Sequence, residues 1–127
     1  MDGEVLRTST RESVVKVDCD ELALLEFTVT PEWSGPLPHV HREHVDSVYV
    51  LEGQLELQLG DGVVRLGPGD AHAAAPGTRH EVTNPGPGPT RFLNLHTPSC
   101  GFVEYLRKLT NAEPADDAAY DVFSPEE

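Results

Sequence analysis

The stretch Pro38-His39-Val40-His41-Arg42-Glu43-His44-Val45-Asp46-Ser47-Val48-Tyr49-Val50-Leu51-Glu52-Gly53 decides how this chain is read. Three histidines and two carboxylates fall within eight positions, 39–46, and run straight into a β-branched, apolar segment that reads as a strand. His39 and His41 are two apart, so on an extended backbone rising about 3.3 Å per residue both imidazoles leave the same face, roughly 7 Å apart at their Cα atoms. Two such rings can converge on one divalent ion, with bonds of about 2.0–2.1 Å. Asp46 has the wrong parity to join them on one continuous strand. Arg42 to Val45 must therefore turn the chain, and two short strands are implied.

Working outward, Ser13 to Val17 alternates weakly and reads as an edge strand, while Met1 to Arg11 is polar enough to be frayed or laid across a neighbour. Glu21 to Thr30 is apolar with β-branched residues late in the run and reads as a strand. Pro31, Gly35, Pro36 and Pro38 make a loop that delivers His39, and Trp33 within it is expected to be a packing anchor rather than a pocket wall. Val48 and Val50 share a face with Asp46, and Tyr49 and Leu51 point the other way. A strand apolar on both faces wants cover on both, which argues for a homodimer.

Gln54 to Leu59 alternates strictly, with Leu55, Leu57 and Leu59 inward, and Gly60-Asp61-Gly62 turns it back into Val63 to Leu66. Ala71 to Ala75 reads as a poor strand. His80, Val82 and Asn84 share one face of the next, Pro85 to Pro89 is a loop, and Arg91 to Thr97 is the last strand. Phe102, Val103, Leu106 and Leu109 then follow helical spacing, with Ser99 as N-cap and Glu104 and Lys108 as an i,i+4 pair. From Asn111 onward the composition turns to Ala, Asp, Glu and Pro, a solvated acidic tail (111–127) whose Tyr120, Val122 and Phe123 could still dock onto a neighbour. Eight or nine short strands with glycine and proline turns and one late helix describe an all-β sandwich or barrel.

At 127 residues the chain is one domain. Nine Lys and Arg against 22 Asp and Glu give a formal charge of −13, which repels phosphate backbones and anionic membranes, so no nucleic acid or membrane partner is expected. Without an apolar run near the roughly 20 residues of a membrane span, or a secretory signal, the expected location is cytoplasmic. Cys19 and Cys100 are then free thiols.

The pattern His39-x-His41-x4-Asp46-x6-Gly53 resembles the first motif of the cupins, with Asp46 where that family usually has Glu and Gly35 closer to His39 than the family's leading glycine. Gly69-x5-Ala75-Pro76-Gly77-x2-His80-x3-Asn84 resembles the second cupin motif, with Ala75 for its first proline. Both stand in the right order, separated by Gln54 to Pro68, and the resemblance covers about residues 24 to 97. It implies a cupin double-stranded β-helix, a jelly-roll barrel (1–110) with motifs at 35–53 and 69–84 and one short C-terminal helix at about 100–110. It further implies that His39, His41, Asp46 and His80 hold one divalent transition metal, Fe, Mn, Ni, Cu or Zn. Asp46, one methylene shorter than Glu, either ligates the ion or acts as a catalytic base through water. His44 is expected at the surface, pointed outward by the turn. The directions of His72 and His96 stay open.

Thr97 to Glu104 is similar to the strand-to-helix ending of quercetinase-like single-domain cupins. The function the resemblance implies is a metal-dependent, dioxygenase-like activity on a small organic substrate. Its alternatives are a metal-dependent isomerase or decarboxylase, and a non-catalytic module that senses or carries a small molecule or metal. A metal-free sugar epimerase would need a tyrosine facing the histidines, and the parity of Tyr49 turns it away.

Overall fold

A computed structural model describes residues 3–125. Nine strands form two antiparallel sheets: β1 (Val5–Arg7), β2 (Arg11–Asp18), β3 (Ala23–Val29), β4 (Val45–Glu52), β5 (Leu55–Leu59), β6 (Gly62–Leu66), β7 (Ala71–Ala74), β8 (His80–Thr83) and β9 (Thr90–Thr97). The order β1-β2-β3-β9-β4-β7 makes the larger sheet, and β6-β5-β8 the smaller. One helix, α1 (Phe102–Thr110), and a 3-10 turn (Asp117–Tyr120) follow. The architecture is the all-β jelly roll with a short C-terminal helix that the sequence predicts.

Alternation decides which side chains fill the space between the sheets. Val15, Leu25, Phe27, Val29, Val48, Val50, Phe92, Leu55 and Leu57 are buried and form one core, closed at its side by Val103 and Leu106 of α1. Tyr49 sits on the outer face of β4, 41% exposed, as its parity requires. Cys19 and Cys100 are both free.

Three expectations about these elements are corrected. The N-terminal segment is not frayed throughout: Val5–Arg7 pairs with β2, and Leu6 is buried. For that reason β2 is an interior strand of the sheet rather than its edge. Ser99 does not cap α1. It is buried, its carbonyl accepts from Phe102 N, and the cap position belongs to Gly101 without any side-chain bond. The Glu104–Lys108 pair does form, at 3.8 Å.

The acidic stretch beyond α1 is exposed over most of 111–119, but its end packs back onto this chain. Tyr105 Oη donates to Asp117 Oδ1 at 2.9 Å, Val40 and Phe123 form an isolated β-bridge, and Arg42 stacks on the Phe123 ring at 3.7 Å. Asp121 is buried. Its apolar neighbour Phe123 docks on this chain's own first motif and Val122 lines the cavity, and that burial holds the end of the stretch in place.

Candidate functional site

The geometry begins with a bridge between the sheets. His39 N donates to His80 O at 3.2 Å and His80 N to His39 O at 3.0 Å, so the loop before the first motif is tied to the start of β8. Asp46 enters from β4, where it pairs with His96 on β9 and Ala74 on β7. Ala74 is buried there, the small residue on the inner face, while Ala73 and Ala75 are exposed. The turn between His41 and Val45 reverses parity as the spacing demands. His39, His41, Asp46 and His80 thus come together with their ligand atoms within 4.8 Å of one another.

Each of the three histidines has one nitrogen already committed. His39 Nδ1–H donates to Leu37 O at 2.9 Å, His41 Nδ1–H to Asp121 O at 2.8 Å, and His80 Nδ1–H to Thr78 O at 2.9 Å. A neutral ring so fixed has only a lone pair on Nε2. Yet the His41 and His80 Nε2 atoms lie 3.3 and 3.2 Å from Asp46 Oδ2, lone pair against carboxylate. Such a contact is repulsive unless a proton or a cation lies between. Imidazoles held by their far nitrogens on carbonyls, facing a carboxylate, are the donor set of a divalent metal site. The residues present fit that ion.

Electrostatics within the group follow from this arrangement. Burial opposes ionisation of Asp46, but His96, His41 and His80 outweigh it and hold its pKa well below the usual carboxylate range. Burial lowers His80 as well, and there the hydrogen bond and charge of Asp46 win and raise it. His39 is pushed down to about 4, by burial first and by the charge of His80 second.

Behind these four stands a layer that sequence reasoning missed. Asn94 Nδ2 donates to Asp46 Oδ1 at 2.8 Å and to Ser47 O at 3.0 Å, which turns its Oδ1 toward His96 Nε2–H at 2.9 Å. His96 Nδ1 and His44 Nε2 meet at 2.8 Å and share one hydrogen, and His44 Nδ1–H donates to Asp121 Oδ2 at 2.8 Å. Burial lowers the pKa of both rings, His96 to about 3 and His44 below its ordinary value despite its hydrogen bond to Asp121.

His44 is therefore not a surface residue; it is 1% exposed. The turn that should point it outward instead wraps the Asp121 carboxylate, which accepts from the backbone N–H groups of Arg42, Glu43 and His44 at 2.8, 2.8 and 3.1 Å. His44, Cys100 and Asp121 also bring donor atoms within 4.8 Å. The Asp121 oxygens are filled by these N–H groups, so that trio is a structural cap. His96 is the inward one of the two undecided histidines and stacks on Phe102 with centroids 3.6 Å apart. His72 lies half-buried on β7.

The metal-type group opens onto a cavity of about 500 Å³, with Phe27, Val48, Val82, Phe92, Phe102 and Leu106 in its walls. Trp33 packs near Phe92, centroids 6.1 Å apart, and also lines the cavity, so it is an anchor and a wall together. No described helix is long and apolar enough to cross a membrane.

Comparison with known proteins agrees with this geometry. No curated protein matches the chain. Among solved structures it is similar to KdgF from a Halomonas species, with 24% identity, a TM-score of 0.66, and 75% of this chain and 87% of that one covered. It is also similar to an uncharacterised protein with a double-stranded β-helix domain from Klebsiella pneumoniae, with 27% identity, a TM-score of 0.63, and 72% and 75% of the two chains covered. A cupin sugar phosphate isomerase from Silicibacter pomeroyi is 26% identical with a TM-score of 0.61, covering 69% of this chain and 59% of that one. The cupin domain family matches residues 25–96, more than half of the 127, and the chain belongs to the cupin family.

Proposed function

We propose that this cupin is a metal-dependent enzyme of the dioxygenase type, acting on a small and largely apolar organic substrate. One observation carries the reading: three imidazoles fixed by Nδ1–H bonds, two of them with Nε2 facing Asp46, gather their ligand atoms with that carboxylate at the edge of an apolar cavity. His39, His41 and His80, with Asp46 Oδ2, would hold Fe, Mn, Ni, Cu or Zn. A bound redox-active ion supplies the electron transfer that lets dioxygen react with an organic molecule, and a redox-inert one supplies Lewis acidity. The aromatic walls exclude water and orient a flat substrate. Asn94 holds Asp46 Oδ1, so only Oδ2 faces the histidines.

Elemental analysis of untagged protein tests this, with His80→Ala in parallel. About one transition metal per chain, lost in the variant, is the expected result, followed by oxygen uptake with enolic and catecholic substrates. No metal in either protein, and none taken up on titration, overturns it. Asp46→Asn separates the two roles of that residue: lost metal marks a ligand, and retained metal with lost turnover marks a base.

A second reading, Lewis-acid isomerisation, is favoured by the likeness to the Silicibacter pomeroyi sugar phosphate isomerase. Turnover that continues under nitrogen would select it over the oxygenase.

A further inference from the structure

Arg11 opens β2 with its side chain in the wall of the cavity, the one Lys or Arg among the lining residues. Its Nη2 donates to Thr110 Oγ1, and its Cζ lies 5.9 Å from the centroid of Phe27. Its Nε is buried and meets no acceptor among the described residues. The half-buried Arg91 and Arg107, by contrast, are each paired with glutamates, Arg91 with Glu26 and Glu52 and Arg107 with Glu4. A buried guanidinium N–H without a partner is costly, and no acid among the described residues pairs with this one.

The surroundings suit an anion. Thr8 and Thr10 line the cavity beside Arg11. Thr8 Oγ1 accepts from the backbone N–H groups of Thr10 and Arg11 at 3.3 and 3.1 Å, which leaves its own hydrogen to donate. Of the acids in the wall, Asp46 belongs to the histidine group and Asp117 is engaged by the Tyr105 hydroxyl.

Helix α1 lines the cavity along its length with Phe102, Tyr105, Leu106 and Leu109, and at its end Thr110 accepts from Arg11. Arg11 and the histidine group thus face one cavity of about 500 Å³, room for a single aromatic ring with a short chain.

We infer that Arg11, with the Thr8 and Thr10 hydroxyls, is a carboxylate-binding subsite, and that the ligand is an aromatic monocarboxylate whose uncharged end points toward His39, His41, Asp46 and His80. Only the position of that far end rests on the metal-dependent reading above. Arg11 forks onto the carboxylate, and Phe27, Phe92 and Trp33 flank the ring.

The test compares 3-phenylpropanoate with 3-phenylpropan-1-ol, read by the fluorescence of Trp33, the single tryptophan of the chain. The expected result is carboxylate binding at least tenfold tighter than the alcohol in the wild type. Arg11→Met should erase that difference while changing the alcohol's affinity less than threefold, Arg11→Lys should keep part of it, and His80→Ala should keep all of it. Equal affinities in the wild type, binding of neither compound, or a preference that survives Arg11→Met overturns the subsite. If the preference survives Arg11→Met but falls with His80→Ala, the carboxylate sits on the metal: the subsite is lost and the metal reading stands. If it falls with Arg11→Met while elemental analysis finds no metal, the metal reading is lost and the subsite stands.

Discussion

Asp121 holds more of the site than its place in an acidic stretch suggests. Its carboxylate accepts from three backbone N–H groups and from His44, and its carbonyl fixes His41. Asp121→Ala removes the acceptor of four N–H groups, two of them the buried pair on His44, and should cost about 3 kcal/mol of stability, measured by urea denaturation. It should also weaken metal binding by about 10–100-fold in a titration, the usual size of an effect from groups that orient ligands. Unchanged affinity would show that the turn keeps its posture without the carboxylate. None of this was legible in the sequence. His39, His41, Asp46 and His80 announce themselves by spacing within two short motifs, whereas Asp121 acts on residues 77–80 positions away, and no local periodicity records such a contact. His44 was misread for the same reason, since its direction is set by the acid it wraps and not by its own strand.

Among the elements, the turn after β4 is the least forgiving. Gly53 has φ +84°, and a Cβ there would meet Thr90 Oγ1 at 2.5 Å and Pro89 O at 2.6 Å. Thr90 Oγ1 itself bonds both Gln54 N and Gln54 O, so it has no freedom to withdraw. Gly53→Ala should therefore destabilise by more than about 3 kcal/mol, through strain and overlap together. Gly77, with φ +86° and open space around it, should lose only about 1–2 kcal/mol on the same change. Paired thermal melts of the two variants check this, and equal losses would mean that backbone conformation alone sets the cost. Strands with one buried face could be read from alternation, as in Leu55 and Leu57. The short β1 could not, because three residues carry too little pattern and only pairing with β2 defines them.

For the whole molecule, acid should destabilise the metal-free protein early. His39 and His96 have pKa values lowered from 6.5 to about 4 and about 3, with burial the main cause. Between those values and 6.5 the unfolded chain binds protons that the folded one refuses, so stability falls as pH drops through that window. Melting temperatures should decline below pH 6.5, and bound metal should flatten the decline until its ligands protonate. A flat profile from pH 6.5 to 4 would show both rings protonated in the fold. We propose that the homodimer expected from β4 uses the outer face that carries Tyr49, 41% exposed. Light scattering at micromolar concentration should give the mass of two chains, and a monomer there would remove the argument.

The brace that Asp121 supplies also sets a timetable. His41 is made 80 residues before the carbonyl that orients it. At about 5–20 residues per second, the nascent chain spends roughly 4–16 s with its first two histidines on an unsecured loop. An ion arriving in that interval meets a flexible pair of rings, with the brace absent throughout and His80 absent for about the first half. The choice among competing metals thus falls late, to whichever ion the finished pocket encounters, and the metal recovered with the protein should track the composition of the compartment in which synthesis ends.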